Sequence, residues 1–442
     1  MLSLLRRSFA HGIHPPGHKD TTDRAIRRFP FAPRLIVPLS QHIGKPAVPV
    51  VHPHQEVVRG EPIARADGFL SVPMHAPATG VVETIEPVAD ARGGKSLSIV
   101  LRPYPGDDQR VRYGAPRETD ALSHDELIQA IRDTGMVGLG GAAFPTHAKL
   151  TVPPGHAIDT LVVNGCECEP YLTNDARVMV EWAGDLLRGI HLAMRACGAT
   201  RAVIGIEDNK PDAIGALRRH LAHDSAVSVE PVATKYPQGA EKLLIKTLLG
   251  REVPSRGFPY QIGVVVQNIA TLAEIGQLLP QRRGLIERVM TISGDVERPG
   301  NYLVPLGTPL RYLLAQAGFH GSAAEVILGG PMMGNTVASL DVPVTKGVSG
   351  ILALTADHQL TEPRKIYPCI HCGQCLAACP MHLNPSHLGM LAAKREYGIM
   401  AEQFHLDDCF ECGCCTYVCP SRIPLVQYFR IAKQMNRETK AA

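Results

Sequence analysis

Two runs of cysteine toward the C-terminal end carry the chemistry that this sequence declares most openly. Cys369-x2-Cys372-x2-Cys375-x3-Cys379-Pro380 is followed by Cys409-x2-Cys412-x2-Cys415-x3-Cys419-Pro420. That spacing is the ligation pattern of paired [4Fe–4S] clusters, in which three thiolates of a run hold one cluster and the fourth crosses to the other. It predicts one metal site from Cys369, Cys372, Cys375 and Cys419, and a second from Cys409, Cys412, Cys415 and Cys379. A cubane needs four soft thiolates around a small volume, and a tight loop delivers three of them with backbone N–H groups aimed at the sulfurs. The second copy, again closed by Cys-Pro, favours clusters over zinc. Cys414 breaks the symmetry of the runs; keeping the register makes Cys415 the ligand and Cys414 a buried spare thiol. The implied chemistry is electron transfer.

Those runs need a scaffold, and 442 residues give room for about three to four domains. A composition of 45% hydrophobic and 20% charged residues is that of a globular chain. Nine of the twelve cysteines fall between 369 and 419, which suits cofactor ligation in a reducing compartment better than a disulfide framework. No apolar stretch reaches the length of a membrane span, and Met1–Leu5 is too short for a signal segment. The net charge of +3 is concentrated in residues 1–32, where six Arg or Lys face Asp20 and Asp23. This basic arm, with His11, His14 and His18, is expected to meet acidic headgroups or a partner subunit, or to stay a solvated tail. With 5% aromatics and no basic–aromatic interleaving, nucleic acid is excluded as a partner.

Four organised segments follow the arm. Residues 33–110 read as a small β domain, with short strands at Leu35–Pro38, Val48–Val51, Val81–Ile85 and Ser98–Leu101 between turn signals. Residues 111–285 change period. Buried-strand runs at Asp159–Asn164, Ala202–Ile206 and Gly263–Val266 are each followed by a helical stretch, at Asp175–Cys197, Pro211–Leu221 and Thr271–Leu279. That alternation predicts a parallel, Rossmann-like α/β domain with ligands at the carboxyl ends of its strands. Residues 286–357 return to strand and turn around one helix at Pro309–Ala317, a β-grasp pattern. Residues 358–442 are expected to be helical around the cysteines, with Asn384-Pro385 opening a helix that runs through Ser386–Phe404. The fold class is thus multidomain α/β and α+β.

A second chemical feature lies in the α/β segment. Gly135–Leu150 reads Gly-Met-Val-Gly-Leu-Gly-Gly-Ala-Ala-Phe-Pro-Thr-His-Ala-Lys-Leu. Small residues let the backbone approach a ligand, exposed N–H groups in such a turn favour an anion, and Lys149 supplies a point charge. The first strand ends in Asn164-Gly165-Cys166-Glu167-Cys168-Glu169-Pro170. Its carboxylates can accept from ribose or ribityl hydroxyls, or cap a neighbouring helix. Cys166 and Cys168 form half of a metal site and are expected to be buried or cofactor-lining. Further loops at Lys235–Glu241 and Val266–Ala273 close later strands.

Gly138–Leu150, Asn164–Pro170 and Val266–Ala273 resemble the flavin-site segments of the NADH-oxidising subunit of respiratory complex I. In its order of segments the whole chain resembles the C subunit of the Rnf ion-translocating electron-transport complex. Gly12–Pro16, Gln41–Gly44, His75–Gly80, Tyr236–Lys242 and the cysteine runs carry that likeness. The resemblance implies a barrel-sandwich-like N-terminal domain, a non-covalent FMN, an NADH site and a soluble-ligand-binding β-grasp (SLBB) domain. It also implies a helical ferredoxin domain, other members of a complex and ferredoxin as partners, and peripheral attachment at the cytoplasmic membrane face. Carried over by position, Gly138, Gly140, Gly141 and Lys149 would hold the flavin phosphate and ring edge, and Phe144 would stack on the nucleotide. Asn164, Glu167 and Glu169 would take hydroxyls, Asn268 and Thr271 would close the phosphate end, and Tyr236, Gly239 and Glu241 would complete the site. The chain departs from the complex I pattern at Ala143, a glycine there; at Cys166 and Cys168; and at Gly239–Lys242, which keeps one carboxylate of two. The implied activity is exchange of electrons between NADH and ferredoxin, coupled to ion translocation. Alternatives are a flavin and iron–sulfur corrinoid reductase, and a cluster-bearing relay that binds no flavin.

Overall fold

The computed structural model describes residues 7–91, 93–320, 323–355 and 365–441. Met1–Leu5, Arg6 and 358–364 therefore lie outside the described residues. Each β-branched run in the α/β segment forms a buried strand, and the sheet is wholly parallel. Its order is Val227–Val232, Arg201–Glu207, Thr160–Gly165, Val264–Asn268. Alternate side chains of these strands enter two different cores. Leu161, Val163, Ile204 and Val265 join one with the helices Ala183–Cys197 and Ile269–Leu278; Val162, Val203, Val264 and Val266 join the other with Glu241–Leu249. Gly189 and Gly276 let the two helices of the first face touch backbone to backbone, since a methyl group on either would run into the opposite carbonyl.

The strand Val227–Val232 is an edge strand absent from the sequence expectation; its Ser, Glu and Pro231 hide the apolar run, and proline is tolerated at an edge. The helix expected over Asp175–Cys197 is two helices, Asn174–Glu181 and Ala183–Cys197, broken at Trp182 where φ is −118° and ψ 28°.

Around this sheet stand three further units. In the N-terminal one, the sheet Leu35–Pro38, Lys95–Pro103, Gly80–Ala89, Glu56–Val57 faces the smaller sheet Val48–Pro49, Pro62–Arg65, Met74–His75 over a common core. Glu287–Gly294 and Gly300–Pro305 form a hairpin, followed by the helix Leu310–Gln316 and by Gly350–Thr355, which runs parallel to the first strand, as a β-grasp requires. Around the cysteines the described residues are helical and contain no strand. The long helix expected between the runs is broken into Pro385–Ala393 and Tyr397–Glu402, with Arg395 at φ +60° in the turn.

The basic arm differs most from expectation. From Arg7 onward it is built into the fold and is no detached tail. Arg7 bridges to Val232, Ile13 to Tyr236, and Arg27–Arg28 adds a strand to the β-grasp sheet. Several of its charges are engaged: Arg7 with Glu230 at 3.3 Å, Arg28 with Glu287 at 2.7 Å, and Arg27 over the Tyr302 ring. The half-buried Lys19 donates to the carbonyls of Glu167 (2.7 Å), Glu169 (2.8 Å) and Leu172 (2.5 Å). A fully buried cation, Lys346, donates to Pro73 O (2.9 Å) and Gly135 O (2.7 Å), joining the β-grasp unit to the other two.

Two outcomes follow from these cations. Lys19→Ala should lower stability by about 2–4 kcal/mol, since three partly buried acceptors lose their shared donor; urea unfolding measures it. Burial lowers Lys346 from its ordinary 10.5 to about 7. Between those values the unfolded chain binds more protons than the folded one, so this residue's contribution to stability rises with pH. The urea midpoint of the native chain should therefore gain on that of Lys346→Met between pH 7 and 9.

Candidate functional site

Strand order reverses between Thr160–Gly165 and Val264–Asn268, which lie side by side with Asn164 opposite Asn268. A parallel sheet opens a crevice at such a reversal, beyond the carboxyl ends of its strands. The Gly-rich loop lies over it. Gly138 and Phe144 close the loop with a 2.8 Å backbone hydrogen bond, and Gly140 rests on the Asn268 side chain, 3.3 Å from where a Cβ would sit. Gly140, Gly141 and Ala142 are exposed, and their N–H groups make no hydrogen bond among the described residues. Ala143 sits at φ +49°, a left-handed conformation that suits the glycine of the related pattern better than alanine.

From the other side the Gly239 loop comes down on the same strand ends. Asn164 donates from Nδ2 to Gly239 O at 2.7 Å, and a Cβ on Gly239 would meet Cys166 O at 2.5 Å. Lys149, on the short helix after the Gly-rich loop, forms an ion pair with Glu241. Gly138, Gly140, Gly141, Phe144, Lys149, Asn164, Gly239, Glu241 and Asn268 thus gather at one end of the sheet. Glycines that admit close approach, free N–H groups and a cation beside them fit a ligand carrying an anionic group.

The remaining residues expected here are turned to other work. Thr271 is fully buried, and its hydroxyl accepts from Leu139 N at 2.9 Å, tying the Gly-rich loop to the helix Ile269–Leu278. Asn268 Oδ1 caps that helix at Ala270 N and Thr271 N. The Glu167 carboxylate accepts from Asp175 N (2.7 Å) and Ala176 N, so it serves the start of the next helix, where a negative charge is favoured. Glu169 accepts from Met332 N (3.0 Å) and Met333 N (2.8 Å) of the β-grasp unit, and burial pushes its carboxyl up to about 7. Neither carboxylate is free for a hydroxyl as placed. Tyr236 is buried and donates its hydroxyl to Cys412 O at 2.7 Å.

The sequence reading passed over Asp175. Its carboxylate accepts from Asn268 Nδ2 (2.6 Å) and Asn174 Nδ2 (2.8 Å) beneath the crevice, and burial, with Glu167 nearby, raises it to about 7. Its place after Thr173-Asn174 reads locally as a helix start, so no sequence signal marked it. Cys166 is buried with its thiol toward Gly205 O (3.5 Å), and burial pushes Cys168 up to about 12, leaving both as neutral thiols.

The cysteines of the two runs line two separate cavities. One cavity of about 270 Å³ is lined by Cys369, Cys372, Cys375 and Cys419; a smaller one is lined by Cys379, Cys409, Cys412 and Cys415, with Cys414 beside them. The runs repeat each other closely. His371 and Glu411, Gly373 and Gly413, and His382 and Arg422 share positive φ, and a short helix follows each glycine. That repeat aligns Cys375 with Cys415 and puts Cys414 opposite Gln374, outside the ligand register. Four thiols arranged around each cavity fit a multi-iron cluster.

Comparison with known proteins agrees with this division. The chain matches family models for the RnfC barrel sandwich hybrid domain over residues 7–104 and the Nuo51 FMN-binding domain over 131–277. It also matches the SLBB domain over 289–336 and a 4Fe-4S dicluster domain over 368–423. It is 43% identical to the C subunit of a proton-translocating ferredoxin:NAD(+) oxidoreductase complex from Clostridium ljungdahlii, covering 98% of this chain and 94% of that one. It is 40% identical to the C subunit of the Na(+)-translocating complex of Acetobacterium woodii, over 88% of each chain. A crystal structure of an air-oxidized NAD+-reducing [NiFe]-hydrogenase shares the fold at a TM-score of 0.51 and 20% identity, over 70% of this chain and 60% of that one. The chain therefore belongs to the C-subunit family of ion-translocating ferredoxin:NAD(+) oxidoreductase complexes, and its cofactors are FMN and two [4Fe–4S] clusters.

Proposed function

We propose that this protein is the NADH-linked end of its complex, exchanging electrons between NADH and the ferredoxin side while partner proteins couple that exchange to ion translocation. The observation that carries the reading is the meeting of three free N–H groups, a lysine and two close-approach glycines at the point where strand order reverses. FMN, when bound, supplies the exchange between a two-electron nicotinamide and one-electron clusters, chemistry that belongs to the cofactor.

The chain's own residues bind and orient. Gly140, Gly141 and Ala142 would present N–H groups to the FMN phosphate, with Lys149 as the neighbouring cation. Asn164 fixes the Gly239 loop, and Thr271 fixes the Gly-rich loop, so both walls of the crevice are set before a ligand enters. Half-buried Phe144 stands at the mouth of the loop as a platform for a nucleotide base. Cys369, Cys372, Cys375 and Cys419 would hold one cluster, and Cys379, Cys409, Cys412 and Cys415 the other.

No helix among the described residues is long and apolar enough to cross a membrane. We place the protein peripherally at the cytoplasmic face, held by other members of the complex. Arg7 and Arg28 keep about half of their side chains exposed while paired, so the arm's outer face stays available for that attachment.

The flavin reading is tested by the visible spectrum of anaerobically purified protein, where flavin bands are expected beside the cluster absorption; a relay without flavin would lack them. Lys149→Ala should weaken FMN retention. A charged hydrogen bond contributes about 1.5–3 kcal/mol, and the existing exposed pair with Glu241 offsets up to about 1 kcal/mol of it, leaving roughly tenfold in affinity. Glu241→Gln should act in the opposite sense by freeing the ammonium, and FMN content after dialysis measures both. For the clusters, Cys372→Ser should cut bound iron to about half, while Cys414→Ser keeps it. Iron loss in Cys414→Ser equal to that in Cys372→Ser would shift the register of the second run.

A further inference from the structure

The two cavities repeat each other locally and differ in what surrounds them. The second-run cavity is walled by distant parts of the chain. Tyr236 packs with Ile13, Ala378 and Cys414, against which Cys168, Met332 and Cys412 lie. The arm clamps this group: Ile13 and Tyr236 exchange backbone hydrogen bonds at 2.9 Å, Gly12 N donates to Ala378 O at 3.2 Å, and the His11 ring donates to Ala377 O at 2.8 Å. The Met332 carbonyl lies over Gly413, 3.1 Å from where a Cβ would stand. The first-run cavity instead opens outward. Cys372 is exposed, and Ile366, Tyr367 and Ile370 at its mouth are exposed too, Ile370 by 66%.

Tyr236 belongs to both sites. Its hydroxyl meets Cys412 O, while the turn that follows it carries Gly239, which Asn164 holds over the carboxyl end of the central strand. We propose that Tyr236 is the positioning residue that seats the second-run cavity against the flavin crevice. Cys379, Cys409, Cys412 and Cys415 then form the flavin-side metal site, and Cys369, Cys372, Cys375 and Cys419 the outward one. The inference rests on the reading of the crevice as the flavin site. The redox balance is two electrons per NADH. Hydride leaves the nicotinamide, one proton is released, and the electrons go out singly to two molecules of a one-electron acceptor of the ferredoxin class; the reverse reaction balances in the same way.

The test uses the full chain carrying FMN and its clusters, with flavin bleaching and cluster EPR followed separately after adding NADH or dithionite. In Cys412→Ser the remaining outward cluster should give its EPR signal with dithionite and lose it with NADH. In Cys372→Ser the remaining flavin-side cluster should be reduced by NADH. Tyr236→Phe, which deletes one hydrogen bond, should slow cluster reduction relative to flavin bleaching by about two- to tenfold. NADH reduction of the cluster left in Cys412→Ser at the native rate would overturn the order. Should Cys412→Ser lose both clusters, Cys372→Ser decides alone: a remaining cluster that NADH leaves oxidised also overturns it. Failure of NADH to bleach any flavin in the unmodified chain would instead overturn the reading of the crevice.

Discussion

Three nitrogen donors drawn out of water, Lys346 and Arg288 fully and Lys19 in part, hold this protein in one arrangement through backbone carbonyls. Lys19 takes the carbonyls of Glu167, Glu169 and Leu172; Lys346 takes those of Pro73 and Gly135; Arg288 takes those of Lys346 and, at 3.2 Å, Leu139. Taking an ammonium or guanidinium out of water is costly, and the cost is met only if several acceptors converge on it. Burial accordingly lowers all three, Lys346 to about 7 and Arg288 to about 10. An apolar core can slide by a rotamer; a desolvated cation with fixed acceptors cannot. Each of these groups joins parts of the chain far apart in sequence, so register between units is set by charge solvation as much as by apolar packing.

The loop after the central strand shows what that fixity does for the site. Residues 165–173 receive Lys19 on their carbonyls, and Tyr171 stacks on His18 with ring centres 4.6 Å apart. Thr173 donates its hydroxyl to Asn301 and its N–H to Thr291. Glu167 and Glu169 spend their carboxylates on a helix start and on the β-grasp loop. A loop bound from so many directions holds the strand end before it, and with it Asn164, in a single geometry at the crevice. The carboxylates that look functional in sequence are then structural in their contacts, and on the proposed reading the glycine N–H groups and Lys149 are what remains to meet an anion.

How much of this was legible depended on whether the controlling contact was local. The cysteine runs were readable because ligation imposes its own spacing, and a 4Fe-4S dicluster domain covers them. The buried strands were readable from β-branched runs, and Leu35–Pro38 falls where the pattern put it. Val227–Val232 was hidden because an edge strand need not be apolar throughout. The breaks at Trp182 and at Lys394–Glu396 were hidden because neither carries proline, and intrinsic propensity would have continued the helix. The arm was misjudged for a deeper reason. Net charge describes how a segment would behave in water, whereas Lys19 is held by partners some 150 residues away, and no local pattern announces them.

The same distinction explains how a duplicated motif yields two unlike sites. Both cysteine runs fold alike, with positive φ before the second cysteine, a left-handed glycine after it, and a short helix beyond. Nothing within the repeat tells one copy from the other. The difference comes from the arm, the Tyr236 loop and the β-grasp loop, which cover the second run and leave the first with an exposed thiol and an apolar mouth. A carrier that receives electrons in pairs and delivers them singly needs one terminal shielded beside the flavin and another open to a partner. Local sequence supplies two equivalent ligand sets, and tertiary packing, anchored by cations buried elsewhere, makes them inequivalent.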